Sequence, residues 1–234
     1  MKRRKILKDH HDLITYSDKN WSLLKQKRNI AKNLLEIFNK EGLDPYVHGS
    51  VARGDVHEDS DVDIVFIQQI PSFQIEYILN KNGLTNFFRE IIMATPLDTI
   101  KLYIHLSELE SITIPLSKFN TKYIEFYNFG GKINLLELLS EVRVSGIDKR
   151  LVLIKPNSQG HEEISIIGNE VYTAKEVGVS LDTINGRKKI LLRREQHGRT
   201  GVFLKRELQL HESTEEVLKN LAKTKSIVRK KLIE

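Results

Sequence analysis

Asp61 and Asp63 are the residues of this chain best placed to do chemistry. They open a strongly apolar run, Asp61-Val62-Asp63-Ile64-Val65-Phe66-Ile67, that reads as a β-strand. Side chains alternate faces along a strand, so the two carboxylates share one side while Val62, Ile64 and Phe66 turn to the core. Like charges held this close repel and raise each other's pKa, which argues against a stabilising role. They suit Mg²⁺, or Mn²⁺ in its place: a hard cation takes one or two carboxylates and keeps room for water and substrate phosphates.

Just upstream, Tyr46-Val47-His48 reads as a short strand running into a Gly49-Ser50 turn. Glycine there lets backbone N–H groups and the Ser50 hydroxyl approach a triphosphate closely. Arg53, three residues beyond Ser50, is a candidate phosphate contact. A lone Asp-x-Asp reads most simply as a solvated loop or a cap. The whole arrangement over 46–68 is far more specific, and it suits phosphoryl-type transfer, in which positioning and charge neutralisation do most of the catalysis.

This stretch resembles the signature of the DNA polymerase β superfamily of nucleotidyltransferases, which includes CCA-adding enzymes and poly(A) polymerases. That signature is a hydrophobic residue, Gly, Gly or Ser, a spacer, then Asp-hydrophobic-Asp-hydrophobic. His48-Gly49-Ser50 and Asp61-Val62-Asp63-Ile64 match it. The resemblance implies metal-dependent transfer of a nucleoside monophosphate from a nucleoside triphosphate. Asp61 and Asp63 would be the catalytic metal ligands, and Gly49, Ser50 and Arg53 would meet the nucleotide. The family also carries a third carboxylate on a neighbouring strand. Here the expected position holds Thr113, which can hydrogen-bond but cannot serve as a general base near neutral pH. Glu110, Glu125 and Asp98 are the carboxylates that could reach the site from other backbone positions. Phe126-Tyr-Asn-Phe-Gly130-Gly131 faintly resembles the family's Phe-x-Gly-Ser turn; read alone, it is a helix-to-helix turn with aromatic core residues.

Elements must hold these groups, and the composition provides for them. A chain of 234 residues with 40% hydrophobic and 29% charged residues can bury a real core. No apolar run approaches a membrane span, no apolar segment follows the basic N-terminus, and there is no cysteine. These features fit a cytoplasmic protein without thiolate metal sites or membrane contact. A net charge of +6 favours polyanionic partners.

Lys2, Arg3, Arg4, Lys5 and Lys8 form a basic arm. A long helix follows from an N-cap at Ser17 or Asp18, with Leu24, Ile30, Ala31, Leu34, Leu35 and Phe38 at helical spacing and Gly42 as its stop. Residues 73–95 read as helical, with Leu84, Phe87, Phe88 and Ile91 as the apolar stripe. Residues 102–106 and 111–116 read as a β-hairpin; His105, within its first strand, reads as structural. The polar, glycine-containing segment 142–149 marks a boundary between a domain at 1–145 and a second at 146–234. The second opens with two strands around a Pro156-Asn-Ser-Gln-Gly160 turn.

Residues 170–194 then read as a helix-turn-helix. Ala174 allows close approach, Gly178 permits the left-handed turn, Ile184 packs between the helices and Ser180 caps the second one. Arg187, Lys188, Lys189 and Arg193 supply phosphate-contact charge. Residues 198–205 suit a wing-like loop and strand, and a last helix starts from the Ser213…Glu216 capping box. The expectation is therefore an α/β (α+β) nucleotidyltransferase palm with a mixed sheet, followed by a small winged-helix or helix-turn-helix-like domain. Its partners would be a nucleoside triphosphate, Mg²⁺ or Mn²⁺, and DNA or RNA. The rival reading is a catalytically degenerate transferase fold acting as a nucleic-acid-binding regulator.

Overall fold

Two sheets carry the chain, and each draws strands from both halves of the sequence. The structure, a computed structural model, describes residues 5–85, 87–198 and 201–233. In chain order the elements are β1 His11–Thr15, α1 Asp18–Asn39, β2 Tyr46–His48, α2 Ser50–Arg53, β3 Val62–Val65, α3 Ser72–Lys81, β4 Phe88–Met93, β5 Lys101–His105 and β6 Glu110–Pro115. There follow α4 Thr121–Gly130, β7 Lys132–Ile133, α5 Leu135–Leu139, β8 Gly146–Ile147, β9 Val152–Asn157, β10 Gly160–Ser165, α6 Glu170–Val177, α7 Leu181–His197, β11 Leu204–Leu208, α8 Thr214–Thr224 and α9 Ser226–Ile233.

The large sheet runs β11-β4-β5-β6-β3-β2-β7, and the small one β1-β10-β9-β8. In the large sheet the β3–β6 pair is parallel and its neighbours are antiparallel, so the sheet is mixed as expected. One face of it buries Val47, Val62, Ile64, Ile91, Leu102, Ile104 and Ile112 against Leu35 and Phe38 of α1 and Ile75 and Leu79 of α3. Period-2 alternation in the strands and the helical spacing in α1 meet in this one apolar layer. The opposite face carries Asp63, Ser111, His105 and Tyr103, and α4 covers part of it through Tyr123 and Tyr127.

Ser17 caps α1 in a full capping box with Asn20, and Gly42 takes φ 74° just past the helix end, as the sequence suggests. The 73–95 segment differs. The helix ends at Lys81, Gly83 turns with φ 79°, and Phe88–Met93 is a strand. Alternation wins there: Arg89, Ile91 and Met93 face the core while Phe88 and Glu90 face the other way. Arg89 is nearly covered, and its guanidinium pairs with Glu76 and donates to the carbonyls of Gln209 and Glu212. The last helix is two, broken at Lys225, whose backbone is extended (φ −120°, ψ 106°).

The sheets do not respect a division at residue 145. β1 pairs along its whole length with β10, and Ile6 enters the second core with Leu151, Leu153 and Ile166. The 204–208 strand, which overlaps the expected wing at 198–205 only in Leu204 and Lys205, pairs with β4 and closes the edge of the large sheet, while α8 contacts α3. Of the basic arm, Lys2, Arg3 and Arg4 lie outside the described residues, as do Arg199 and Thr200 of the expected wing loop. No described helix is long and apolar enough to cross a membrane.

Candidate active site

β3 and the turn after β2 bring the expected residues together. His48 pairs with Asp63 across the β2–β3 ladder, so the Gly49-Ser50 turn leaves the sheet beside the carboxylates. Gly49 adopts φ 82°, ψ −141°, a conformation that favours glycine, and its N–H donates to the Gly131 carbonyl at 2.9 Å. Ser50 then starts α2. The helix is fixed from behind by Arg28, which donates to the carbonyls of Val51, Ala52 and Val142. Lys27, buried on α1, donates to the Ser60 carbonyl at 2.7 Å and anchors the loop that leads into the aspartates.

Asp61 is exposed just before β3, and Asp63 is the more enclosed of the pair. Burial raises the Asp63 carboxyl above the ordinary carboxylate range and the Asp61 charge adds to this; the Ser111 hydrogen bond and the charges of Lys149 and His105 oppose it. Ser111 Oγ donates to Asp63 Oδ1 at 2.7 Å. The β3–β6 register makes Ser111, not Thr113, the residue directly across from Asp63; Thr113 pairs with Val65. Among the described residues no group of three His, Cys, Asp or Glu side chains gathers in metal-binding geometry. Glu125, one of the candidate third carboxylates, caps α7 by accepting from Ser180 Oγ at 2.7 Å and from Thr183 Oγ1. Glu110 pairs with Val62 at the start of β6. Two carboxylates at one site, one partly desolvated and neither in an ion pair with a described residue, fit a cation that completes its shell with phosphate oxygens and water.

Arg53, expected at a phosphate, is only 5% exposed and has structural partners. Nε and Nη2 donate to the two Asp55 oxygens at 2.9 Å each, and Nη1 donates to the Gly130 carbonyl at 2.5 Å. The guanidinium thus ties α2 to the end of α4. Lys149, in the turn before β9, is exposed and close enough to favour the charged form of Asp63. It was invisible as a site residue in the sequence because it lies in the polar segment that reads as a boundary.

An aromatic floor lies under α4. His48 is flanked by Phe126 (5.9 Å between centroids) and Tyr127 (5.1 Å), and its Nε2 has no hydrogen-bond partner among the described residues. Burial, then the charges of Arg53, Lys101, Arg187 and Lys149, push the imidazole down to about 3, so it is neutral in the folded protein. Lys101 Nζ lies 4.9 Å from the Tyr123 and Phe126 ring centroids and 5.4 Å from that of Tyr127, and burial lowers the amine to about 8.

Of the residues expected in a helix-turn-helix, Gly178 is left-handed at the end of α6, Ser180 caps α7, Ile184 is buried, and Asn185-Gly186 continues the helix. The basic run is divided. The Arg187 guanidinium lies 4.7 Å from the Phe126 centroid, and burial lowers it to about 10. Lys188 pairs with Glu170 at 2.5 Å, while Lys189 and Arg193 are exposed. The N-terminus of α7 is held by Glu125 of α4.

A mixed sheet with a carboxylate pair at the head of β3, beside a glycine turn, is consistent with a nucleotidyltransferase domain. Residues 24–137, from within α1 to within α5, match the family model described as nucleotidyltransferase domain, which supports a place in the nucleotidyltransferase superfamily. No curated protein and no solved structure matches the chain.

Proposed function

We propose that the chain transfers a nucleoside monophosphate from a nucleoside triphosphate to an acceptor hydroxyl, with Mg²⁺ or Mn²⁺ held by Asp61 and Asp63. The observation that carries this reading is the carboxylate pair itself, at the head of β3 beside the Gly49-Ser50 turn and in no ion pair with a described residue. When bound, the metal would offset the charge of the triphosphate and of the departing pyrophosphate. Asp63 is held on its ladder and oriented by the Ser111 hydroxyl. Ser50 offers its hydroxyl and backbone N–H to phosphate oxygen, and Lys149 adds positive charge on the same side. His48, uncharged, fills the space between turn and α4 without competing for the phosphates.

Calorimetric titration of ATP with and without Mg²⁺ tests the site. Binding should require the metal and be lost in Asp61→Asn/Asp63→Asn; equal binding by that variant would overturn the assignment. Ser111, and no carboxylate, opposite Asp63 favours a second reading in which the site binds the nucleotide to regulate another activity. Metal-dependent binding without transfer to any acceptor would select it. Support for a nucleic-acid partner narrows to the net charge and to Lys189 and Arg193.

A further inference from the structure

The β6 residue opposite Asp63 is Ser111 rather than a carboxylate, yet the next strand sets a histidine in the same row. Asp63, Ser111, His105 and Phe88 form a single row across β3, β6, β5 and β4. Adjacent strands are ~4.8 Å apart, so the backbones of Asp63 and His105 are separated by about 10 Å. Ser111 stands between them with its hydroxyl on Asp63, so His105 is the next residue of the row beyond the carboxylate's own partner. His105 Nε2 lies 3.2 Å from Glu90 Oε1, and Glu90, buried on β4, pairs through its other oxygen with Lys205 of β11 at 2.8 Å. A carboxylate only accepts, so in the neutral imidazole an Nε2–H would donate to Glu90 and leave the Nδ1 lone pair for a second proton. Tyr103 stacks on the ring from its own strand (6.2 Å, 12°) and Phe88 flanks it (5.7 Å). Beyond His105 a groove of about 870 Å³ opens along β4, β5 and β11.

We propose that this groove takes the acceptor and that His105, held by Glu90, removes the proton of its attacking hydroxyl. This rests on the transfer reaction proposed above. The hydroxyl proton passes to Nδ1, the oxygen bonds to the α-phosphorus, and the bond from that phosphorus to the bridging oxygen breaks. Pyrophosphate leaves with the electron pair, and Glu90 stabilises the imidazolium that remains. His105 is then a catalytic residue and Glu90 a positioning one. The groove also limits the acceptor. Its lining includes Phe87, Phe88 and Leu210, and among the described residues sets Glu90, Glu108 and Glu207 against Lys205. A polyphosphate backbone would meet an excess of carboxylates there, whereas an uncharged molecule with an apolar face would lie on Phe88, which is 44% exposed.

The test measures transfer from α-labelled ATP to two probes: phenylethanol, an uncharged alcohol with an aromatic face, and an oligoribonucleotide with a free terminal ribose hydroxyl. ATP·Mg²⁺ binding is recorded separately for each protein, so that failure of the nucleotide site is seen on its own. His105→Ala should bind ATP·Mg²⁺ as wild type does, lose about 10²- to 10⁴-fold in kcat with the KM for ATP unchanged, and regain activity as imidazole is added. Glu90→Gln should lose less and gain nothing from imidazole, and Phe88→Ala should raise the KM for phenylethanol alone. Wild-type kcat in His105→Ala, a loss that imidazole does not restore, transfer only to the oligoribonucleotide, or no transfer by a wild type that binds ATP·Mg²⁺ would each overturn the proposal.

Discussion

Replacing Arg53 by Met asks whether this residue braces the site or binds phosphate. Its side chain is 6% exposed and that of its partner Asp55 12%, so the pair is buried on both sides. Removing the guanidinium leaves the Asp55 carboxylate with neither of its two 2.9 Å donors, and the Gly130 carbonyl without its 2.5 Å donor. Breaking a buried pair from one side costs about 3–5 kcal/mol, mostly because the remaining charge stays desolvated. At this chain length each kcal/mol moves the midpoint by roughly 2–4 °C, so the melting temperature should fall by roughly 6–20 °C. Urea unfolding at constant m-value gives the same quantity independently. Adding Asp55→Asn should recover part of the loss, since the second change removes the stranded charge. A loss below about 1 kcal/mol, accompanied by loss of ATP binding, would refute this reasoning and return Arg53 to the phosphates.

Lys101→Met removes an amine that burial depresses to about 8 from 10.5. Between these values the unfolded chain binds more protons, so wild-type stability rises with pH across that window and sits at its lower level beneath it. The variant's advantage in urea midpoint should therefore be largest below about pH 8 and shrink above; an advantage that grows with pH would contradict it. Gly130→Ala sets a Cβ against His48 Nε2 and should cost about 1–3 kcal/mol by urea unfolding, with less cost in a His48→Ala background. Ser111→Asp puts a third carboxylate across from Asp63. It should lower the melting temperature without metal and make Mg²⁺ raise it more than in wild type.

The parts of this molecule legible in its sequence are those encoded by local spacing. The strand behind Asp61 and Asp63, the Gly49 turn, the Ser17 cap, the 101–115 hairpin and the α6–α7 pair all have their signals within a few residues. What stayed hidden depends on pairing across the chain. Phe88, Arg89 and Glu90 look helical because Leu84, Phe87 and Ile91 fall at helical spacing, yet β5 and β11 flank this segment and impose a period of two. β1 and β11 complete sheets begun more than a hundred residues away. Burial was equally invisible at Arg53 and Arg187, whose charge suggested phosphate but whose partners are Asp55 and Phe126. His105, which reads as an isolated strand histidine, gains its place only from the register that sets it beside Ser111 and near Glu90.

The central claim is tested most directly by following both ends of one nucleotide. ATP labelled at the α-phosphate and, separately, at the γ-phosphate is incubated with Mg²⁺, a mixed pool of hydroxyl acceptors, and either wild type or Asp61→Asn/Asp63→Asn. The account predicts α-label on an acceptor and γ-label in pyrophosphate, both from the wild type and neither from the variant. Label movement that persists in the variant, or γ-label appearing in the acceptor, would contradict it.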